Sequence, residues 1–276
     1  MKLFNKVVII GTGLIGGSLG LALKKKHLVS QIVGLSRHRR NVRLAKKAGA
    51  IDYIGSSLET VKDADLVILA TPVDAIIDIA FKIATKIKKD CIVIDVGSTK
   101  ETIVYKISRV IPNFLGCHPL SGSEKRGVTN LQEGIFANSI CIVTPAAKTN
   151  KKVLNKISLL WRRLGSKVVI LSPKKHDQIL AFTSHLPHAV VFSLMGSIPM
   201  EFLSLSSGGL KDSTRISASD ANLWSEVFLS NRGNLVACLT TFQAKLALLK
   251  LALKRKNKKL LTNILLAAKK KREKLG

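Results

Sequence analysis

Short runs of aliphatic and β-branched residues recur through the first part of the chain, at residues 7–10, 32–35, 66–70, 91–96, 114–117, 140–143 and 168–171, with amphipathic stretches between them. Continuous apolar runs of this length, set among segments of helical period, are how strands buried on both faces of a parallel sheet read in sequence. They predict a doubly wound α/β layout. Beyond Pro173 the pattern changes to helical periodicity over 177–195 and then, almost unbroken, over 222–274, with no further β-rich run. The change places a boundary at Ser172-Pro173, giving an α/β domain over 1–172 and an all-α domain over 173–276. The helical half carries apolar stripes with little chain to cover them. This predicts a homodimer formed through its C-terminal helices.

The first apolar run leads into Gly11-Thr12-Gly13-Leu14-Ile15-Gly16 and then a helical stretch ending in Lys24-Lys25-Lys26. A glycine loop between a strand and a helix has a mechanism: the first glycine permits a tight turn, the second lets backbone N–H groups approach a pyrophosphate, and the third lets helix pack on strand. The context marks a Rossmann-type dinucleotide-binding domain, with Gly11, Gly13, Leu14, Ile15 and Gly16 on the cofactor. An acidic residue for the adenosine ribose is expected about 20 residues further on. Ser36 and Arg37 stand there, followed by His38, Arg39 and Arg40. A hydroxyl and a guanidinium suit a 2′-phosphate, so NADP is favoured over NAD.

The run His118-Pro119-Leu120-Ser121-Gly122-Ser123-Glu124-Lys125-Arg126-Gly127 places a titratable imidazole in a glycine-containing loop after a strand. With a dinucleotide loop upstream, this points to redox chemistry that needs a base. The strand over 91–96 ends in Gly97-Ser98-Thr99-Lys100, so Ser98 and His118 are expected side by side at the carboxyl edge of the sheet, where ligands of such folds bind. Ser184-His185-Leu186-Pro187-His188 is expected to begin a helix with both histidines on one face. Lys211-Asp212-Ser213-Thr214-Arg215 supplies a guanidinium, and Trp224 follows. His27, His38 and His176 carry no supporting motif and are expected at the surface.

Composition narrows the alternatives. Hydrophobic residues make up 46% and aromatic residues only 5%, an ordinary globular balance. The net charge of +28 invites a polyanionic partner, yet the lysine clusters fall where helix ends and solvent faces are expected, without aromatic interleaving. No nucleic-acid partner is expected. Cys91, Cys117, Cys141 and Cys238 show no CxxC spacing and read as free buried thiols in a reducing compartment. No His/Cys cluster has metal-ligand spacing, so no metal is expected. The N-terminal apolar run is broken by glycines and lacks a cleavage signature, and no uninterrupted apolar run is long enough to span a membrane. A cytoplasmic protein without a membrane partner is expected.

The ordered motifs from Gly11 to about Arg232 resemble the prephenate and arogenate dehydrogenase family of tyrosine biosynthesis. They comprise the GxGLIG loop, Ala70-Thr71-Pro72-Val73, Asp95-Val96-Gly97-Ser98-Thr99-Lys100, the run from His118, SHLPH, and Thr214-Arg215-Ile216 with Ser219-Asp220 and Leu223-Trp224. The signature loop departs mildly, with Ser121 and Ser123 where alanine and threonine are common. The resemblance implies a 6-phosphogluconate-dehydrogenase-like architecture, a dinucleotide domain followed by a dimerisation domain. It implies oxidative decarboxylation of a cyclohexadienol dicarboxylate, with prephenate preferred and arogenate the alternative. By the same resemblance His118 is the base on the substrate 4-hydroxyl and Ser98 orients both. Arg215 grips a carboxylate, and Ser123, Glu124, Ser184, His185, His188 and Gly208 line the pocket, with Trp224 behind it. Thr71, Val73 and Ser98 join the cofactor site. No fused regulatory module is expected. Two rivals fit less well. A β-hydroxyacid dehydrogenase would carry a catalytic lysine followed a turn later by asparagine, whereas Asp212 and Ser213 follow Lys211. A non-catalytic basic nucleotide- or nucleic-acid-binding protein has no use for Ser98, His118 and Arg215 together.

Overall fold

The computed structural model describes residues 2–121 and 127–275. The chain divides into two compact units, Met1–Asn231 and Arg232–Gly276. The first is built on a sheet of eight strands in the order β3-β2-β1-β4-β5-β6-β7-β8. These are β1 (Phe4–Ile10), β2 (Val29–Leu35), β3 (Tyr53–Ile54), β4 (Leu66–Leu69), β5 (Ile92–Asp95), β6 (Phe114–Pro119), β7 (Ile140–Thr144) and β8 (Lys167–Ile170). The crossover helices are α1 (Leu14–Lys25), α2 (Arg39–Lys47), α3 (Val73–Ile83), α4 (Glu101–Ile107) and α5 (Lys151–Arg163). After β8 come α6 (Pro173–Leu180), α7 (Leu186–Ser197), α8 (Gly208–Thr214) and α9 (Ala221–Ser230).

The central strands are buried on both faces, and their two-residue period divides the core in two. Val7 and Ile9 of β1, Ile68 of β4 and Ile94 of β5 pack with Leu19 and Leu23 of α1 and Trp161 of α5. Val8, Ile10, Val67, Leu69 and Val93 face the other way, toward Ile76 and Ile83 of α3 and Ile103 and Val104 of α4. In β6 the same alternation sends Leu115 and Cys117 to the first layer and Phe114 to the second. His118 has the parity of Phe114 and emerges on the α4 side.

The sequence expectation of a parallel sheet needs one correction. β6 and β7 are antiparallel, with His118 opposite Ile142, while the other neighbouring pairs are parallel. Reversing β7 lets the long segment after His118 return at the sheet's carboxyl edge. The two-residue β3 is exposed and too short to leave an apolar run, so it escaped the sequence pattern.

The helical segment that holds Ser184-His185-Leu186-Pro187-His188 also differs from expectation. One helix runs from Pro173 to Ser197, and the motif lies in its middle instead of beginning it. A π turn over Ala181–His185 joins α6 to α7. Pro187 explains it: a proline lacks the N–H of the helical ladder and its ring collides with the carbonyl four residues earlier, so the turn widens.

The second unit consists of α10 (Arg232–Lys254) and α11 (Lys258–Arg272). By length and hydropathy both the Pro173–Ser197 helix and α10 reach what a membrane crossing requires. Neither is an uninterrupted apolar run, since His176 and Asp177 interrupt one and Lys245 and Lys250 the other. All four cysteines are free and buried.

Candidate active site

At the end of β1 the chain turns at Gly11, whose φ of +101° suits glycine; a Cβ there would lie 2.3 Å from the Ala70 carbonyl oxygen. A Cβ on Gly16 would meet the Gly11 carbonyl oxygen at 1.9 Å, so this glycine lets α1 pack against the turn. Gly13 caps α1, and a Cβ there would meet nothing within 4 Å. The first and third glycines are therefore demanded by the fold, whereas the second borders open space at a helix N-terminus. The Thr12 and Thr71 hydroxyls are buried and, among the described residues, without a hydrogen-bond partner. Open space at a helix N-terminus fits a dinucleotide pyrophosphate. Val73 begins α3. At the end of β2, Ser36 accepts a hydrogen bond from the His38 backbone N–H and the Arg37 side chain is exposed.

β5 and β6 are paired, with Asp95 opposite Gly116, so the segments carrying Ser98 and His118 leave the same edge. The side chain that holds His118 is His176, at 2.9 Å from His118 Nδ1 to His176 Nε2. Ser98 makes no hydrogen bond to His118 among the described residues. His176 is fully buried, which corrects the expectation of a surface residue. The apolar stripe of the helix gave no sign of this, because the turn that buries His176 also buries the polar Asp177. His176 Nδ1 lies 2.7 Å from Asp177 Oδ1. The Asp177 carboxylate accepts from the backbone N–H groups of Lys100 and Glu101 at 2.8 and 2.9 Å, closing the start of α4. Beneath it, Lys100 and Asp95 form a fully buried ion pair.

Burial pushes the His118 imidazole well below its ordinary pKa, and the neighbouring His176, Lys100 and His185 push it further. It is a neutral base at neutral pH. Burial also lowers His176, against the pull of Asp177.

The π turn and α7 present the remaining histidines to α9. His185 is buried, accepts or shares a hydrogen bond with Asn231 Nδ2 at 3.1 Å, and is pushed down to about 4 by burial. His188 donates from Nδ1 to the Ser184 carbonyl at 2.9 Å and stacks on Trp224. Burial lowers its pKa, and the Arg215 guanidinium lowers it further, which puts Arg215 in its electrostatic reach. Arg215 follows α8 and is exposed; Gly208, also exposed, begins α8. His185, His188 and Trp224 thus form one cluster, with Arg215 beside it. Ser123 and Glu124 lie outside the described residues. Sequence reasoning missed His176, Asp177 and Asn231, and gave Lys100 no role. The adjacent His-Asp pair one turn after Ser172-Pro173 was the sole local signal. Among the described residues no His/Cys/Asp/Glu group is arranged to hold a metal.

Known proteins share the sequence pattern and the fold of this chain. Residues 19–170 match the nucleotide-binding domain of prephenate dehydrogenase, and residues 172–267 match its dimerization domain. Prephenate dehydrogenase of Bacillus subtilis is 34% identical over 244 residues, which cover 84% of this chain and 66% of that protein. Cyclohexadienyl dehydrogenase of Zymomonas mobilis is 32% identical over 267 residues, 92% of this chain and 90% of that one. The crystal structure of prephenate dehydrogenase from A. aeolicus, in complex with hydroxyphenyl propionate and NAD+, superposes with a TM-score of 0.93 at 32% identity, covering 99% of this chain and 98% of that one. With its two halves matched in order and its fold shared from end to end, the chain belongs to the prephenate dehydrogenase family, whose members are NAD(P)-dependent oxidoreductases.

Proposed function

We propose that this chain catalyses the oxidative decarboxylation of prephenate to 4-hydroxyphenylpyruvate in tyrosine biosynthesis. The observation that carries it is the neutral imidazole of His118, held at the same carboxyl edge of the sheet as a glycine loop shaped for a dinucleotide. The bound nicotinamide cofactor supplies the hydride acceptor. His118 Nε2 takes the proton of the substrate 4-hydroxyl, which raises the readiness of the C4 hydride to leave. As the bond from C1 to the ring carboxylate breaks, its electron pair enters the ring, carbon dioxide departs and the phenolic oxygen recovers a proton. Arg215 offers a bidentate grip on a substrate carboxylate, and Ser98, Ser123, Glu124, Ser184, His185, His188 and Gly208 complete the pocket. Thr12, Gly13, Thr71 and Val73 line the cofactor side, and Ser36 with Arg37 favours NADP.

Arogenate is the second reading, and His188 supports it. With Nδ1–H donated to the Ser184 carbonyl and a lowered pKa, neutral His188 offers Nε2 as an acceptor. A donor at His188 would favour the keto group of prephenate. An acceptor suits the ammonium group of arogenate better than a keto group.

The substrate domain is taken to begin at residue 173. Leu246, Leu248, Leu251, Leu253, Leu265 and Leu266, exposed on α10 and α11, support a homodimer through these helices. Free buried thiols support a cytoplasmic setting. Basic residues in the last turns of α1, α2, α5 and α11 complement helix C-termini, which supports the reading without nucleic acid.

Steady-state assays of prephenate and arogenate, each with NAD and NADP, test the assignment. His118→Asn should lower turnover by roughly 10³-fold with cofactor affinity unchanged. Arg37→Ala should raise the KM for NADP but leave that for NAD. Unchanged turnover in His118→Asn removes His118 as the base.

A further inference from the structure

We propose that His176 and Asp177 are positioning residues that hold His118 in a single tautomer, leaving its Nε2 lone pair free for the substrate and sharing the positive charge that forms on the ring. The proposal rests on the reading of His118 as the base and adds what makes one of its nitrogens basic.

Donors and acceptors along the chain of contacts leave one arrangement. The Asp177 carboxylate already receives two backbone N–H groups, from Lys100 and Glu101, so it acts as an ionised acceptor. It therefore takes the proton-bearing Nδ1 of His176, and neutral His176 is left with an acceptor at Nε2. His118 Nδ1 lies against that acceptor and must carry the ring proton. Neutral His118 then has its lone pair on Nε2. A free imidazole would divide itself between tautomers and present the wrong one for part of the time.

The same contacts prepare the protonated state. When His118 Nε2 takes a proton, its Nδ1–H bond to His176 becomes charge-assisted, and His176 in turn bears against a carboxylate. This carboxylate–imidazole–imidazole order extends the logic of the familiar acid, histidine and nucleophile triad by one ring. The charged groups facing the two rings are Lys100 and His185, which oppose a proton, and Asp177 and Asp95, which favour one on His176. Among them Asp177 is the carboxylate in direct contact. It also joins two elements, since it sits on α6 and closes the start of α4 while His118 ends β6. The base is therefore held from outside its own strand.

The experiment uses the full chain with cofactor and prephenate. Wild-type protein labelled with 15N in histidine should show His118 protonated at Nδ1 and bare at Nε2 at neutral pH. His176→Phe, which keeps the ring and removes the acceptor, should mix the two tautomers and lower kcat on the order of 10²-fold with KM changed less than about threefold. His176→Gln, which returns an acceptor oxygen to the position of Nε2, should restore the Nδ1–H tautomer and at least about a tenth of the wild-type kcat. A wild-type spectrum with the proton on Nε2 overturns the proposal even if neither variant folds. A His176→Phe enzyme that keeps both its tautomer and its kcat also overturns it. Failure of the underlying reading is distinct: it would show as undiminished turnover in His118→Asn, whatever the tautomer of the wild-type ring.

Discussion

The imidazole of His188 lies on the indole of Trp224, with ring centroids 3.4 Å apart and planes 20° from parallel. Phe228 packs against the same indole, at 5.5 Å between centroids. The stack fixes the plane of the imidazole, and the bond to the Ser184 carbonyl fixes its rotation, so Nε2 of His188 is presented in one direction. On the role proposed for His188, Trp224 acts on substrate recognition through it. Trp224→Leu should raise the KM of the preferred substrate by roughly fivefold while kcat falls less than about threefold, because ring stacking of this kind contributes about 1 kcal/mol. Steady-state kinetics check it, and a larger loss in kcat than in KM would place Trp224 in the chemistry instead.

The two later glycines of the nucleotide loop make opposite predictions. Gly16→Ala puts a methyl group 1.9 Å from the Gly11 carbonyl oxygen, and neither backbone can yield without opening the turn. It should cost about 3 kcal/mol of stability or prevent folding. Gly13→Ala adds its methyl to open space and should change stability by less than about 1 kcal/mol. Its cost falls on the ligand: cofactor affinity should drop by about tenfold, because the pyrophosphate must approach that backbone. Thermal unfolding with and without NADP separates the two effects.

Residues with a periodic or local signature were legible in the chain itself. The strands buried on both faces announced themselves as continuous apolar runs, and the glycine loop as a turn between a strand and a helix. The antiparallel β7 was not legible, because an apolar strand reads the same in either direction and its orientation is set by the return of a long loop. Pro187 was visible, but the widened turn it imposes depends on α6 and α7 being one helix. His176 and Asp177 escaped because their burial comes from two partners distant in sequence, the end of β6 and the start of α4. A buried polar pair satisfied by remote groups leaves no period in the sequence that carries it.

Lys100 and Asp95 form an ion pair with no exposed surface on either side chain. Burial pushes the Asp95 carboxyl up and the ammonium of Lys100 opposes that shift. Lys100→Met would leave a buried carboxylate without its cation and should cost about 3 to 5 kcal/mol, measured by urea unfolding at neutral pH. Asp95→Asn added to Lys100→Met should recover much of the loss, since the uncompensated charge is then gone. Lys100 also holds the pKa of His118 down. In variants that remain folded, the acid limb of the kcat/KM profile should therefore move to higher pH.

Stability toward acid should track the buried histidines. His118, His176, His185 and His188 all have pKa values lowered chiefly by burial, and His185 reaches about 4 against an ordinary value of 6.5. Below 6.5 the unfolded chain takes up protons that the folded chain does not, so the stability held above that pH declines as pH falls and ceases to decline once the folded pKa is passed. For His185 the window runs from 6.5 to about 4 and is worth about 3 kcal/mol at its end. The buried amide of Asn231 hydrogen-bonds the His185 ring, so a neutral isostere keeps the contact without the proton uptake. His185→Gln should fold, lose some stability at pH 7, and show a flatter dependence of Tm on pH between 6.5 and 4. Calorimetric scans across that range decide the matter: parallel curves for wild type and His185→Gln would mean that His185 is not the group whose protonation weakens the fold.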